Sequence, residues 1–447
     1  MQSMRVLSSL LLSVCAVAGR APGMAQQPTP VPPPSTALPS QPFFITKTWV
    51  IGGVGDWDYL TMDPTARELF IAHGPTVQVV DVDSGTVAGT VKGFRQAHEV
   101  VLDGPGGAYG YVTDGQADMV RVFDRRSFQM VANIPTGPSP RSMALDAASG
   151  LLFVIGAQPA GAVTANQAAM RTTAMPRNVP QSQGVPHGPE SGVTVIDVQR
   201  RIPLAEIALP GALGFAQGDG NGRIYVTVLD RNQLVRLDAQ AIANAVHHMI
   251  DADVKLARSK GAVAGRAAQP VSDQPSKPLV VDWTPWAAAP PPADAVPRTI
   301  SLDSGCDQPR ALAIDSAHER LFAACSNFRM VVIDPRTGQS IAALPIGPGP
   351  DAIGYDPNRG LIFTANGGGN GSLTIIRQDV TDSYAVIQTL PTRQHARTLA
   401  IDPSNGNVYL TSVIYGAQMT TPMTNGSPAP MKVSPVDSSF QVLVVGN

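Results

Sequence analysis

The chain has 447 residues, 43% of them hydrophobic, and a formal net charge of −2 at pH 7 with a pI near 6.4. It is long enough to bury a large core, and no basic run supplies the electrostatic footprint of a general nucleic-acid binder, so nucleic acid is not expected as a partner. The 42 glycines and 41 prolines ask for a fold with many tight turns.

Residues 1–25 read as a secretory signal. Arg5 is the only early charge, and the apolar stretch Val6–Ala18 is too short to span a bilayer as a stable helix. Cleavage fits after Ala18 or Ala25. Leu12, three residues before Cys15, gives a lipid-anchor alternative, against which stands the bulky Val14. No other long apolar run follows, so a soluble periplasmic or secreted protein without a transmembrane segment is expected. Residues 26–42 are Pro-rich and aperiodic, and read as a disordered tether.

From residue 43 to 447 one pattern recurs about every forty residues. A first strand ends in an aliphatic residue and Asp, at Asp63, Asp103, Asp146, Asp219, Asp315, Asp356 and Asp402. An aromatic-led second strand follows (LFIAH, YGYVTD, LLFVIG, RIYVTV, RLFAAC, LIFTAN, NVYLTS). Third strands end at Asp81, Asp124, Asp197, Asp238 and Asp334, or read LTIIR and FQVLVVG, and a fourth strand closes most units. The spacing from the third-strand Asp to the next first-strand Asp is 22 residues for Asp81, Asp124, Asp197 and Asp334. Four short strands per repeat define a propeller blade, stable only when stacked on neighbours. Seven copies predict an all-β, seven-bladed β-propeller. FITKTWVIG at 44–52 has the character of a fourth strand, and the last copy lacks one, so an N-terminal strand is expected to close the ring.

YVTDG at 111–115, GPSPRSMALDAASGLLFV at 137–154, QPRALAIDSAHERLFAAC at 308–325 and ARTLAIDPSNGNVYL at 396–410 resemble the YVTN-repeat β-propeller family, including its YncE-like periplasmic members. The resemblance covers about residues 44–447. It implies the fold, and says little of activity, because the family includes surface-layer and binding proteins. The fourth repeat departs from it, with Gly214 where an acidic residue commonly starts the first strand, and with Val228 and Leu229 where a polar residue is expected.

Five residues before each first-strand Asp lies the start of the innermost strand: Asp58, His98, Arg141, Gly214, Arg310, Asp351 and Arg397. The second strands end at His73, Asp114, Gly156, Val228, Cys325, Asn366 and Ser412. In a propeller both sets face one mouth of the central channel, where converging charges must be hydrated, paired or used. Two readings stay open. One is a hydrated, ion-paired plug, with Asp351 between Arg310 and Arg397 and Arg397 paired to Asp58. The other is a pocket in which Arg141, Arg310, Arg397, Asp58, Asp351, His98 and Asn366 bind a small polar or anionic ligand or a protein partner.

Insertions at about 157–191 and 413–437 fall on the same face as lids or disordered loops, and one at about 239–297, helix-like at its start, falls on the other. No C-x-x-C-H, G-x-S-x-G, H-E-x-x-H or Walker motif is present, and no cofactor is expected. A divalent metal at His73, His98, Asp58 and Asp114 is the basis of an alternative, a lactonase-like metal-assisted hydrolase. Cys306 and Cys325 share one blade, and an oxidising compartment would permit a disulfide between them. The leading expectation is a monomeric, non-catalytic binding or scaffold protein.

Overall fold

The computed structural model describes residues 41–53, 55–104, 106–156, 191–246, 279–281, 296–302, 305–380, 382–416, 434–436 and 438–447. The expected signal, Cys15, nearly all of the tether, and most of the three insertions lie outside the described residues.

The strands follow the repeats. After β1 (Phe44–Val50) come β2 (Trp57–Asp63), β3 (Glu68–Asp81), β4 (Thr86–Leu102), β5 (Tyr109–Asp114), β6 (Met119–Asp124) and β7 (Met130–Pro135), hydrogen-bonded in chain order into one six-stranded sheet. The next sheet is β8 (Pro140–Asp146), β9 (Leu151–Gly156), β10 (Ser191–Asp197) and β11 (Ile202–Leu209). β12 (Leu213–Gly218), β13 (Arg223–Val228) and β14 (Gln233–Asp238) continue past the long insertion to β16 (Arg298–Ser301). Within that insertion residues 239–246 are helical, and Ala239, Ile242, Ala243 and Val246 pack into the core between the third and fourth repeats. Its strand β15 (Leu279–Val281) adds in parallel to the outer edge of β11, so the insertion of one repeat extends the sheet of another.

Two four-stranded sheets follow. The first comprises β17 (Pro309–Asp315), β18 (Arg320–Cys325), β19 (Arg329–Ile333) and β20 (Ser340–Pro345). The second comprises β21 (Pro350–Asp356), β22 (Leu361–Asn366), β23 (Ser372–Val380) and β24 (Ser383–Pro391). The last sheet is β25 (Leu399–Ile401), β26 (Val408–Ser412), β29 (Gln441–Gly446) and β1, with a small ladder of β27 (Tyr415–Gly416) and β28 (Ser434–Pro435) beside it. β1 runs antiparallel to β29, from Phe44 opposite Gly446 to Val50 opposite Gln441.

Six large sheets form, not the seven separate ones expected. The difference lies in the first two repeats. β3 continues through His73 and Gly74, where a turn was expected, and β4 carries the end of the first repeat straight into the start of the second. Register shifts at Gly74/Thr76 and Ala97/Val100 mark the joins. The innermost strands nonetheless neighbour one another in a closed circuit: β2 beside β4, then β8, β12, β17, β21, β25 and back to β2.

The recurring aspartates are turn formers. The Asp63 carboxylate accepts from the amides of Thr65 and Ala66, Asp315 from His318, Asp356 from Asn358 and Asp402 from Ser404. Asp81, Asp124 and Asp334 do the same after third strands. A short carboxylate replaces the missing ladder partner of a hairpin, which is why the repeat is punctuated by Asp. Between the aspartates, second strands such as β9, β18 and β22, and the third strand β29, are buried along their full length and are built largely from Val, Ile, Leu, Phe and Ala. No helix among the described residues is long and apolar enough to cross a membrane.

Candidate functional site

The inner-strand residues singled out by the sequence are aimed by one backbone device. In six repeats the ladder between first and second strand slips at the point where they sit: between Trp57 and Leu60, Ala97 and Val100, Pro140 and Ser142, Leu213 and Ala216, Pro309 and Ala311, and Pro350 and Ala352. Asp58, His98, Arg141, Gly214, Arg310 and Asp351 therefore all lie in β-bulges, which re-aim a side chain out of the pleat. Two residues before Arg141, Arg310, Asp351 and Arg397 stand Ser139, Gln308, Gly349 and His395, with φ of 51°, 49°, 65° and 62°. A proline follows in the first three cases and holds its own φ near −65°. The motif Ser-Pro-Arg, Gln-Pro-Arg, Gly-Pro-Asp is the local signal for this geometry.

The structure brings part of the set together. Arg397 Nε lies 3.2 Å from Asp351 Oδ2, an ion pair across neighbouring repeats. The approach is oblique, and Arg397 Nε is buried without a hydrogen-bond acceptor. Its Nη2 donates to the Trp57 carbonyl at 3.2 Å, and its guanidinium lies 5.6 Å from the Trp57 ring centre. Asp58 and His98 pair at 2.8 Å. The expected contacts of Arg310 with Asp351 and of Arg397 with Asp58 are not made. Arg310 instead hydrogen-bonds the neutral Ser326 Oγ at 3.0 Å and Gln308 Oε1 at 3.4 Å. Arg141 is exposed, and its guanidinium has no hydrogen-bond or ion-pair partner among the described residues. Burial pushes the Asp351 carboxyl up. Arg397, Arg310 and Arg141 oppose the shift, and Asp58 adds to it.

Three other candidates are engaged elsewhere. His73 is buried against Gln78 Oε1 at 2.8 Å and the Gly55 carbonyl at 3.1 Å, and burial lowers its pKa. The Asp114 carboxylate accepts from the amides of Arg95 and Gln96 and pairs with Arg121 at 2.7 Å. Asn366 is fully buried, donating to the Thr364 carbonyl and Thr374 Oγ1. Among the described residues no group of three or more His, Cys, Asp or Glu is placed to hold a metal ion. His73, His98, Asp58 and Asp114 resolve into one His–Asp pair and two separate networks.

A cavity of about 300 Å³ opens at this mouth between Arg310, Asp351 and Arg397, walled by Phe328, Gly367 and His395. Its depth depends on glycine, because a Cβ on Gly367 would stand 2.7 Å from that of Arg397. Deeper along the axis a larger cavity of about 630 Å³ is lined by inner strands, including Glu99, Met143 and Gln217. Tyr59 of β2 meets Phe215 of β12 with ring centres 5.3 Å apart, although β2 and β12 are not neighbours in the inner circuit. The two rings cross the channel.

Cys306 and Cys325 form a disulfide, with Cα atoms 5.3 Å apart. It fastens the segment leading to Arg310, since Cys325 lies opposite Pro309 in the ladder. For a sequence separation of 19, chain entropy predicts about 3 kcal/mol of stabilisation. Reductant should lower the urea midpoint accordingly. An unchanged midpoint in protein shown to be reduced would remove the bridge from the account of stability.

Solved structures share the fold. A chain of the mitotic checkpoint complex matches over 90% of this chain and 96% of its own at 11% identity, with a TM-score of 0.56. U3-55K matches over 88% and 97% at 8% identity, with a TM-score of 0.56. The WD40 repeats of RRP9 match over 92% and 99% at 8% identity, with a TM-score of 0.57.

The chain is a β-propeller.

At such identities the likeness is one of fold alone. No family model and no curated protein matches the sequence.

Proposed function

We propose that this propeller is an exported, monomeric binding protein of the YVTN-repeat, YncE-like kind, whose channel mouth receives a small anion or an acidic group on a protein partner. The fused six-stranded sheet counts as two blades in this reading, because seven inner strands close the circuit. The disulfide fits an oxidising compartment such as the periplasm or the exterior.

One observation carries the binding proposal. Of the three arginines at the mouth, two have no carboxylate partner among the described residues: Arg141 is unpaired there, and Arg310 touches only neutral oxygens. Both carboxylates of the ring, Asp58 and Asp351, are turned to His98 and Arg397. A planar guanidinium held by a bulge is preorganised for a carboxylate or phosphate. The Tyr59–Phe215 contact narrows the channel below the mouth. That one similar structure is titled as the mitotic checkpoint complex favours a protein partner as one source of such a group. No cofactor enters this reading.

Calorimetry at low salt with acetate, succinate, citrate and inorganic phosphate tests it. Saturable binding is expected, and Arg141→Ala and Arg310→Ala should each weaken it roughly 10- to 100-fold, the loss of a hydrogen bond to a charged group. The reading fails if no anion saturates the protein, or if both variants bind as the parent does.

A further inference from the structure

Resting on the anion-binding reading, we infer that the mouth selects carboxylates that carry a phenyl-sized apolar group, with Phe328 as the specificity-determining residue.

In four repeats the residue before the third strand is left-handed and its carbonyl accepts an amide from the start of the next connection. Asp118 (φ 53°) accepts from Thr136, Asn232 (φ 51°) from Leu302, Phe328 (φ 63°) from Ile346 and Gly371 (φ 82°) from Thr392. Asp, Asn and Gly adopt this conformation at low cost, and a bulky aromatic does not. Of these four, the fifth repeat alone places an aromatic there. Phe328 is also half exposed, at 50%, while the core phenylalanines are buried. A side chain that strains the backbone and returns no core burial is drawn from the class found at ligand clamps.

Phe328 stands on the wall of the 300 Å³ cavity that holds Arg310 and Arg397. Polar groups there favour an anion: two guanidiniums face one carboxylate, Asp351, and Arg397 Nε is a buried donor without an acceptor. The remaining wall is Ser326, Gly349, Pro350, Gly367, Gly368 and His395, which brings no further carboxylate to compete with a bound anion. A compact dianion would leave Phe328 in water. An aromatic or branched carboxylate covers it while the guanidiniums hold the acid.

Calorimetry with acetate, benzoate, phenylacetate, succinate and phosphate separates the possibilities. Benzoate or phenylacetate should bind at least tenfold more tightly than acetate. Phe328→Ala should erase that difference while leaving acetate binding intact, and Phe328→Leu should restore part of it. Arg310→Ala should weaken all carboxylates together. If the phenyl compounds bind no better than acetate, or if Phe328→Ala weakens acetate equally, the selectivity inference is wrong and the anion site stands. If no carboxylate or phosphate binds, the parent reading itself has failed.

Discussion

Replacing Glu99 by Gln should make the protein markedly more stable above pH 8 and leave it almost unchanged at pH 4.5. Glu99 lines the deep channel cavity and is 9% exposed. One of its oxygens accepts the Met143 amide at 2.6 Å. Burial raises its pKa from 4.5 to about 8, outweighing the Met143 amide and Ser142, and Asp58 adds to the rise. The folded state thus keeps a proton that the unfolded chain has released, across the interval from about 4.5 to about 8. Stability falls through that window by about 1.4 kcal/mol per pH unit, about 5 kcal/mol in all. Gln keeps an oxygen for Met143 and cannot titrate. His73 and His395, whose pKa values are lowered by burial, work in the opposite sense and act below pH 6.5. Urea midpoints of parent and variant should therefore diverge steadily from pH 6.5 to 8. Parallel curves over that range would mean that Glu99 is ionised and hydrated in the folded protein.

The periodic features were legible in the sequence because they are local. Asp63, Asp315 and Asp402 mark hairpins through hydrogen bonds to amides two or three residues on, and such spacing survives any divergence elsewhere. The alternation of Asp-ended first strands with aromatic-led second strands likewise places the inner circuit and the ends of the bulged strands. What the pattern cannot carry is a choice among non-local partners. Asp351 had Arg310 and Arg397 at similar distances in the repeat order, and the ion pair forms only with Arg397, whose guanidinium is also held by Trp57. Asp114 has the residue type of a metal ligand, but its carboxylate is taken by two backbone amides and Arg121, a cross-strand neighbour visible only once the register is known. His73 sits in the middle of a strand rather than at its end, because β3 runs on through the expected turn. Phe328 was missed for a different reason. What sets it apart is a left-handed backbone like that of Asp118 and Asn232, which the residue type alone does not reveal.

The strand that closes the ring supplies the second large effect. Phe43, immediately before β1, is 2% exposed and meets Phe363 edge-on at 5.6 Å. Its amide donates to Gln388 Oε1 at 2.9 Å, and its carbonyl accepts from Gln388 Nε2 at 2.8 Å. The guanidinium of Arg359 covers both rings. These contacts bind the start of the closing strand to the sheet of β21–β24, while β1 itself pairs with β29 in the next sheet. Phe43→Ala should therefore cost about 3–5 kcal/mol, the loss expected for a buried phenylalanine, although the residue precedes the first repeat. The neighbouring Phe44 is 52% exposed, and Phe44→Ala should stay within about 0.5 kcal/mol of the parent. Urea unfolding of the two variants makes the comparison. Equal losses would show that the ring is held by the β1–β29 hydrogen bonds alone. A large loss confined to Phe43 would show that closure depends on a side chain clasping two sheets, which a repeat needs only where its array begins and ends.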